Sequence, residues 1–192
     1  MKIVPVRVTE AQAREHFRKR RIGRIGRLLG LIWRRRSSRG SRMPRLELIW
    51  MPHYLIELEA TSRKGSAALH LAVDAYAGSF TIVDLERPLE EAQPGEETFP
   101  PRMTAEEAEF VGRQELIRAI MRRRGHRDRP IPQGTTSVDL FYYPFWVCYY
   151  ERLPGAIDIA VLDAAAGEKA GPKMKAAVLE AFVVAGAQKR SG

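Results

Sequence analysis

Residues 48–54 of this chain read Leu-Ile-Trp-Met-Pro-His-Tyr, and residues 140–146 read Leu-Phe-Tyr-Tyr-Pro-Phe-Trp. Both stretches place an apolar residue, an aromatic residue, a proline and a second aromatic residue at every second position. A period of two is typical of a β-strand. A proline within a strand removes one donor of the ladder, so we expect Pro52 and Pro144 to mark a bulge or an unpaired edge.

A second correspondence follows each proline-marked strand. Residues 73–78 read Val-Asp-Ala-Tyr-Ala-Gly, and residues 162–167 read Leu-Asp-Ala-Ala-Ala-Gly. The aspartate of such a turn can accept hydrogen bonds from the turn's own amides, and the glycine permits a positive φ. Each strand is also preceded by a predicted helix that begins after a threonine, Thr9 or Thr104, with acidic residues near its start. The shared order of these elements indicates an internal duplication.

The fold class that follows is α+β. We predict two diverged repeats, each a helix followed by an antiparallel hairpin, packed as one pseudo-symmetric domain with a C-terminal helix. The first repeat covers residues 1–90, a linker rich in proline and acidic residues covers 91–103, and the second repeat with the C-terminal helix covers 104–192. The long strands are predicted over 46–59 and 138–151.

Each half, with its helix, its strand and its Asp-Ala-x-x-Gly turn, resembles the PepSY family of small α+β domains. The resemblance covers about residues 9–84 and again about 104–170, and it rests mainly on the turn sequences at 73–78 and 162–167. PepSY domains are usually exported or linked to membranes and are associated with binding or restraining peptidases. This chain departs from the family in its arginine-rich insert and its Trp/Tyr-x-Pro strands. The resemblance therefore implies tandem PepSY-like domains that form a non-catalytic binding module.

The positive charge of the chain belongs to one segment. The net charge is +9, and residues 14–45 hold 13 lysines and arginines against one acid, Glu15, so this segment carries +12 and the rest of the chain, by difference, −3. Three interpretations stay open: a solvated helix face, a patch that binds nucleic acid, and an interfacial helix on an anionic membrane. The arginines that would bind such an anionic partner are Arg18, Arg20, Arg21, Arg24, Arg27, Arg34, Arg35 and Arg36.

Aromatic side chains recur in both proline-marked strands. Because Trp and Tyr are favoured at protein interfaces, we predict that a protein partner contacts Trp50, Tyr54, Tyr142 and Trp146. The alternative is a strand that is covered on both faces, so that the rings belong to the core. The exposure of the rings distinguishes the two interpretations.

Motifs for catalysis, metal binding or cofactor binding are absent from the sequence. The single cysteine, Cys148, lies in an apolar run and is predicted to be a buried, inert thiol. The four histidines show no metal-ligand spacing, and there is no Gly-x-Ser-x-Gly elbow, Walker loop or Gly-x-Gly-x-x-Gly motif. We therefore predict a non-enzymatic binding or regulatory module without catalytic residues, metal or cofactor. The alternative is an enzyme with a polar or metal site on the sheet of the first repeat, formed by His53, Glu57 and His70.

The location of the protein is predicted from features that the sequence lacks. No apolar run reaches the roughly 18 to 20 residues of a membrane-spanning helix. Residues 1–14 also lack the apolar stretch of a secretory signal. Both features favour a cytoplasmic location.

Overall fold

The computed structural model describes residues 1–25, 45–62, 65–83, 89–95, 97–122, 131–153 and 156–191. Within these residues the chain forms three helices and seven strands, which confirms the predicted α+β class. The helices are α1 (Glu10–Ile25), α2 (Ala105–Arg122) and α3 (Pro172–Ser191). The strands are β1 (Lys2–Ile3), β2 (Leu46–Ser62), β3 (Gly65–Asp74), β4 (Phe80–Val83), β5 (Glu90–Glu91), β6 (Ile131–Leu153) and β7 (Ala156–Asp163).

The chain divides into two compact units, and neither is continuous in sequence. Unit 1 comprises residues 1–5, 50–143 and 171–192, and unit 2 comprises residues 6–49 and 144–170. The long strands β2 and β6 each contribute part of their length to both units. The units do not coincide with the predicted halves 1–90 and 104–192, because each unit combines the helix of one half with the hairpin of the other.

In unit 1 the strands follow the order β4-β3-β2-β6-β1-β5. β2 and β3 form a regular antiparallel hairpin, which runs from the pair His53–Asp74 to the pair Ser62–Gly65. Alternate side chains of the hairpin lie on one face, where α2 covers them, and the core of the unit lies there. Its buried residues are Tyr54, Ile56, Leu58, Leu71, Val73, Ala75, Ala108 and Leu116.

A glycine allows α2 to lie close to this hairpin. A Cβ atom at Gly112 would be 2.9 Å from Ile56 Cδ1 and 3.1 Å from Val73 Cγ2. A side chain at this position would therefore require Ile56 and Val73 to move or the helix to shift.

In unit 2 the second part of β6 pairs with β7 in an antiparallel hairpin that begins at the pair Phe145–Asp163. α1 covers one face of this hairpin, and Ala13 is completely buried there. The buried cluster comprises Ala13, Trp146, Leu162 and Ala164, with Val8, Phe17, Leu46 and Leu48 packed against it.

The helices that cover the two hairpins begin with the same reciprocal cap. At α1 the Gln12 amide donates to Thr9 Oγ1, and Gln12 Oε1 accepts a hydrogen bond from the Thr9 amide at 2.8 Å. At α2 the Glu107 amide donates to Thr104 Oγ1, and the Glu107 carboxylate accepts from the Thr104 amide, also at 2.8 Å. Both predicted threonine caps are therefore confirmed, each as a capping box.

The two strand prolines lie where the hairpin ladders end. The β2–β3 ladder begins at the residue after Pro52, and the β6–β7 ladder begins at the residue after Pro144. Each proline carbonyl accepts a hydrogen bond from a turn amide, that of Ala75 or that of Ala164, at 3.1 Å in both units. Both prolines thus lie just beyond a hairpin ladder and accept a hydrogen bond there, which suits a residue that cannot donate.

The segment predicted as a linker, residues 91–103, belongs to unit 1 and is bonded to it. The amide of Trp50 donates to the Glu97 carbonyl oxygen at 2.9 Å, and the amide of Phe99 donates to the Trp50 carbonyl oxygen at 3.3 Å. Phe99 is buried, and its ring meets that of Phe182 in α3 edge-on at 5.5 Å. An apolar anchor and backbone partners thus hold a stretch that composition alone marks as a loop.

Candidate functional site

The aromatic residues predicted to contact a partner are buried, with 5 to 8% of their surface exposed. They are Trp50, Tyr54, Tyr142 and Trp146. Tyr54 Oη donates to the Met103 carbonyl oxygen at 2.9 Å, and Trp146 Nε1 donates to the Val8 carbonyl oxygen at 2.7 Å. A ring that is buried and bonded to its own unit offers little surface to a partner. The burial therefore favours the alternative interpretation, in which these rings belong to the core.

Burial also determines how the tyrosines of unit 1 ionise. Desolvation raises the pKa of Tyr54, Tyr76 and Tyr142 above the ordinary value of a phenol. The charge of Glu107 raises the pKa of Tyr54 further, whereas Arg102 partly opposes the shift at Tyr76. These phenols therefore stay neutral at physiological pH, and those of Tyr54 and Tyr76 donate hydrogen bonds to the carbonyl oxygens of Met103 and Pro100.

Only the beginning of the arginine-rich segment lies within the described residues. Arg18 and Lys19 are exposed on α1 and both pair with Glu15, at 2.5 and 3.5 Å. The Arg18 guanidinium that hydrogen-bonds Glu15 lowers the pKa of that carboxyl. The predicted residues that belong to the helical backbone of α1 are Arg18, Arg20, Arg21 and Arg24. Those that lie outside the described residues are Arg27, Arg34, Arg35 and Arg36.

The polar residues of the enzyme alternative share one face of the β2–β3 hairpin. Glu57 and His70 are cross-strand partners, and His53 lies four residues before Glu57 on the same strand. His53 is buried, with its ring centroid 5.5 Å from that of Phe141. Cys148 is buried, as predicted. Among the residues that the structure describes, no group of three or more His, Cys, Asp or Glu side chains could hold a metal ion.

A groove in unit 1, which the sequence did not reveal, lies beside the first turns of α2. Its volume is about 660 Å³, in the range of ligand-binding clefts. Its polar rim is already engaged in part, because Arg102 pairs with Glu180 of α3 and the Glu107 carboxylate caps α2. The lining residues combine apolar surface with a few charges and include no paired nucleophile and base. They are Tyr76, Arg102, Met103, Glu106, Glu107, Phe110 and Val111.

An exposed apolar stripe continues from this groove along α2. Phe110 and Met121 each expose 66% of their surface, and Ile117 exposes 46%. Steps of seven and four residues place all three on one side of the helix, away from the buried Ala108 and Leu116. The sequence of α2 has apolar residues at helical spacing, but these residues fall on two sides of the helix. Only the packing shows which of them covers the core.

Comparisons with known proteins find no match to this chain: no family model, no curated protein and no solved structure matches it. Among the described helices, none combines the length and the apolar content that crossing a membrane requires.

Proposed function

We propose that this chain is a non-enzymatic binding module, built on an internal duplication, whose arginine-rich segment contacts an anionic partner. The resemblance of both halves to PepSY domains supports the same class of function. The proposal has two parts, the duplicated scaffold and the charged segment, and they depend on different observations.

Two turns in which an aspartate bonds the same two backbone amides support the duplication. They begin at Asp74 in unit 1 and at Asp163 in unit 2, and each carboxylate accepts hydrogen bonds from the amides two and three residues later, at 2.7 to 3.0 Å. The glycine four residues after each aspartate has a positive φ, 61° in unit 1 and 76° in unit 2. Corresponding sequence positions therefore make corresponding bonds.

The connection between hairpin and helix matches as well. The corresponding residues Tyr54 and Trp146 each donate to the carbonyl oxygen of the residue before a capping threonine, Met103 or Val8. The amide of that same residue donates to the alanine that follows the turn aspartate, at 3.1 Å in unit 1 and 2.9 Å in unit 2. In each case the helix of one copy lies on the hairpin of the other, as an exchange of helices between two copies would produce.

The density of positive charge in one segment carries the proposal of an anionic partner. Phe17 packs against the buried cluster of unit 2, so the start of α1 is anchored. The neighbouring Arg18 and Lys19 both pair with Glu15. Residues 20–45 then hold ten further arginines and no acid, and the last of these, Arg45, pairs with Glu47 at 3.1 Å. An anchored helix thus leads into a dense cationic stretch, and clustered arginine binds phosphate groups strongly.

The test measures binding of the full chain to anionic and neutral lipid vesicles by co-sedimentation, and to duplex and single-stranded DNA and RNA. The test variant carries Arg34→Gln, Arg35→Gln and Arg36→Gln. A matched control removes three positive charges from exposed positions elsewhere in the described residues. Its substitutions are Arg7→Gln, Lys169→Gln and Lys173→Gln.

We expect the chain to bind one class of anionic partner, and the test variant to lose at least about fivefold in affinity while the control changes little. The arm that shows binding identifies the partner as lipid or nucleic acid. Equal losses in the two variants would assign the effect to net charge alone, and absence of binding in every arm would overturn the proposal.

A further inference from the structure

The apolar stripe of α2, formed by Phe110, Ile117 and Met121, leads directly into the groove at the start of the same helix. Three large apolar side chains in one row are unfavourable in water unless a partner covers them. The duplicated helix gives a comparison, since the residue six positions after the capping threonine is Phe110 in α2 and Glu15 in α1. The same helical position therefore carries a solvated charge in one copy and an exposed phenyl ring in the other.

Charged residues beside the stripe are arranged so that α2 complements an antiparallel copy of itself. At about 100° per residue, Glu107 near the start of the helix and Arg118 and Arg122 near its end flank the stripe on the same side. A two-fold axis that relates two antiparallel helices brings the same flank of both together. The acidic start of one helix then meets the basic end of the other, twice.

We infer that the chain forms a two-fold symmetric dimer through antiparallel packing of α2 against α2 of a second copy, with Gln114 at the axis. In this register Phe110 lies between Ile117 and Met121 of the second copy. Along the helix axis, Met121 of the second copy lies level with the groove. The second copy therefore covers both the groove and the stripe.

The same register pairs the flanking charges. Glu107 of one copy lies level with the space between Arg118 and Arg122 of the other, in two equivalent places. Arg118 also contacts Glu115 of its own helix in an exposed pair, which can rearrange at little cost. The charges therefore fix the antiparallel direction, and the apolar stripe supplies most of the affinity.

The size of the contact predicts a reversible dimer. α2 has 18 residues and is about 27 Å long. Two such helices with three exposed apolar residues each bury less than the roughly 1,200 Å² of a standard stable interface. The dimer should therefore dissociate on dilution.

Sedimentation equilibrium of the full chain over a concentration series tests the dimer. Phe110→Glu places a charge in the centre of the stripe, and Val183→Glu is the control, because Val183 exposes 72% of its surface on another helix, α3. A second test introduces Gln114→Cys at the proposed axis, with Lys173→Cys as its control, and measures disulfide-linked dimer after mild oxidation.

We expect Phe110→Glu to raise the dissociation constant at least about tenfold and Val183→Glu to leave it unchanged. We also expect Gln114→Cys, but not Lys173→Cys, to form a covalent dimer. A chain that stays monomeric at its highest soluble concentration, an unchanged dimer in Phe110→Glu, equal losses in both glutamate variants, or no cross-link through residue 114 would overturn the inference. The dimer is independent of the anionic partner, so the Arg34→Gln, Arg35→Gln and Arg36→Gln variant should keep it.

Discussion

Single aspartate side chains explain why the two turns have the same shape. Asp74 is 2% exposed, and its two carboxylate oxygens each accept one turn amide, from Tyr76 and Ala77. Asp163 is less buried and accepts both of its amides on a single oxygen. The chemistry is local, which is why the sequence alone was sufficient to predict both turns.

Replacing Asp74 by alanine leaves two turn amides without their acceptors, that of the buried Tyr76 and that of the exposed Ala77. We expect Asp74→Ala to lower the free energy of unfolding by about 1–3 kcal/mol in urea denaturation. Asp139→Ala is the control, because Asp139 makes a half-exposed ion pair with Lys2 at 2.9 Å and should cost less than about 1 kcal/mol. Equal costs for the two variants would contradict the role given to Asp74.

Gly78 combines a left-handed backbone with close neighbours. Its φ is 61°, and an added Cβ would lie 3.1 Å from Met103 Cε and 3.3 Å from Val111 Cγ1. We expect Gly78→Ala to cost about 1–2 kcal/mol of unfolding free energy. Gly186→Ala, in α3 with no atom within 4 Å of the added Cβ, should instead be neutral or stabilising by up to about 1 kcal/mol. A Gly78→Ala variant as stable as wild type would show that the turn can relax.

At the scale of elements, the sequence predicted where the helices start but not which hairpin each helix packs on. Thr9 and Thr104 mark the starts of their helices through local capping, which depends on neighbours three residues away. The choice of hairpin that each helix covers depends on long-range contacts, and both hairpins present similar apolar faces. The sequence indicates the order of helix and hairpin in each half but not which hairpin a helix covers, and in the structure α1 covers β6–β7 and α2 covers β2–β3.

The bond from Tyr54 to the Met103 carbonyl oxygen ties the start of α2 to the hairpin beneath it. We expect Tyr54→Phe to cost about 0.5–1.5 kcal/mol of unfolding free energy, because the ring still fills its site while the carbonyl loses a donor. Hydrogen exchange should show the extra loss of protection in the first turn of α2. If exchange there is as slow as in the wild type, Tyr54 is a packing residue only.

At the scale of the whole molecule, the sequence predicted the class of fold and both Asp-x-x-x-Gly turns, but not units that are each discontinuous in sequence. The aromatic strands illustrate the limit. Alternation placed Trp50 and Trp146 on strands, yet their exposure depends on elements far away in sequence, and both rings are buried. The groove was missed for the same reason, since Tyr76 and Phe110 meet there only after folding.

The three tyrosines with a raised pKa predict loss of stability at alkaline pH. Below about pH 10 each phenol is protonated in both the folded and the unfolded state, so its contribution to stability is fully present. Above that pH the unfolded chain releases protons first, and the free energy of unfolding falls as the pH rises toward the folded-state pKa. Urea midpoints between about pH 8 and pH 11 should show this fall. Tyr54→Phe should make this fall of stability with pH shallower. A stability that stays constant over this pH range would contradict the raised pKa values of the tyrosines.

The claim that the arginine-rich segment binds an anionic partner is tested most directly by the salt dependence of that binding. The measurement compares the affinity of the full chain with that of the Arg34→Gln, Arg35→Gln and Arg36→Gln variant over a salt series. We predict a steep loss of affinity with salt and, for nucleic acid, a slope on logarithmic axes that is shallower by about 2 to 3 in the variant. A chain that binds no anionic partner even at low salt, or a slope that the three substitutions leave unchanged, would contradict the account.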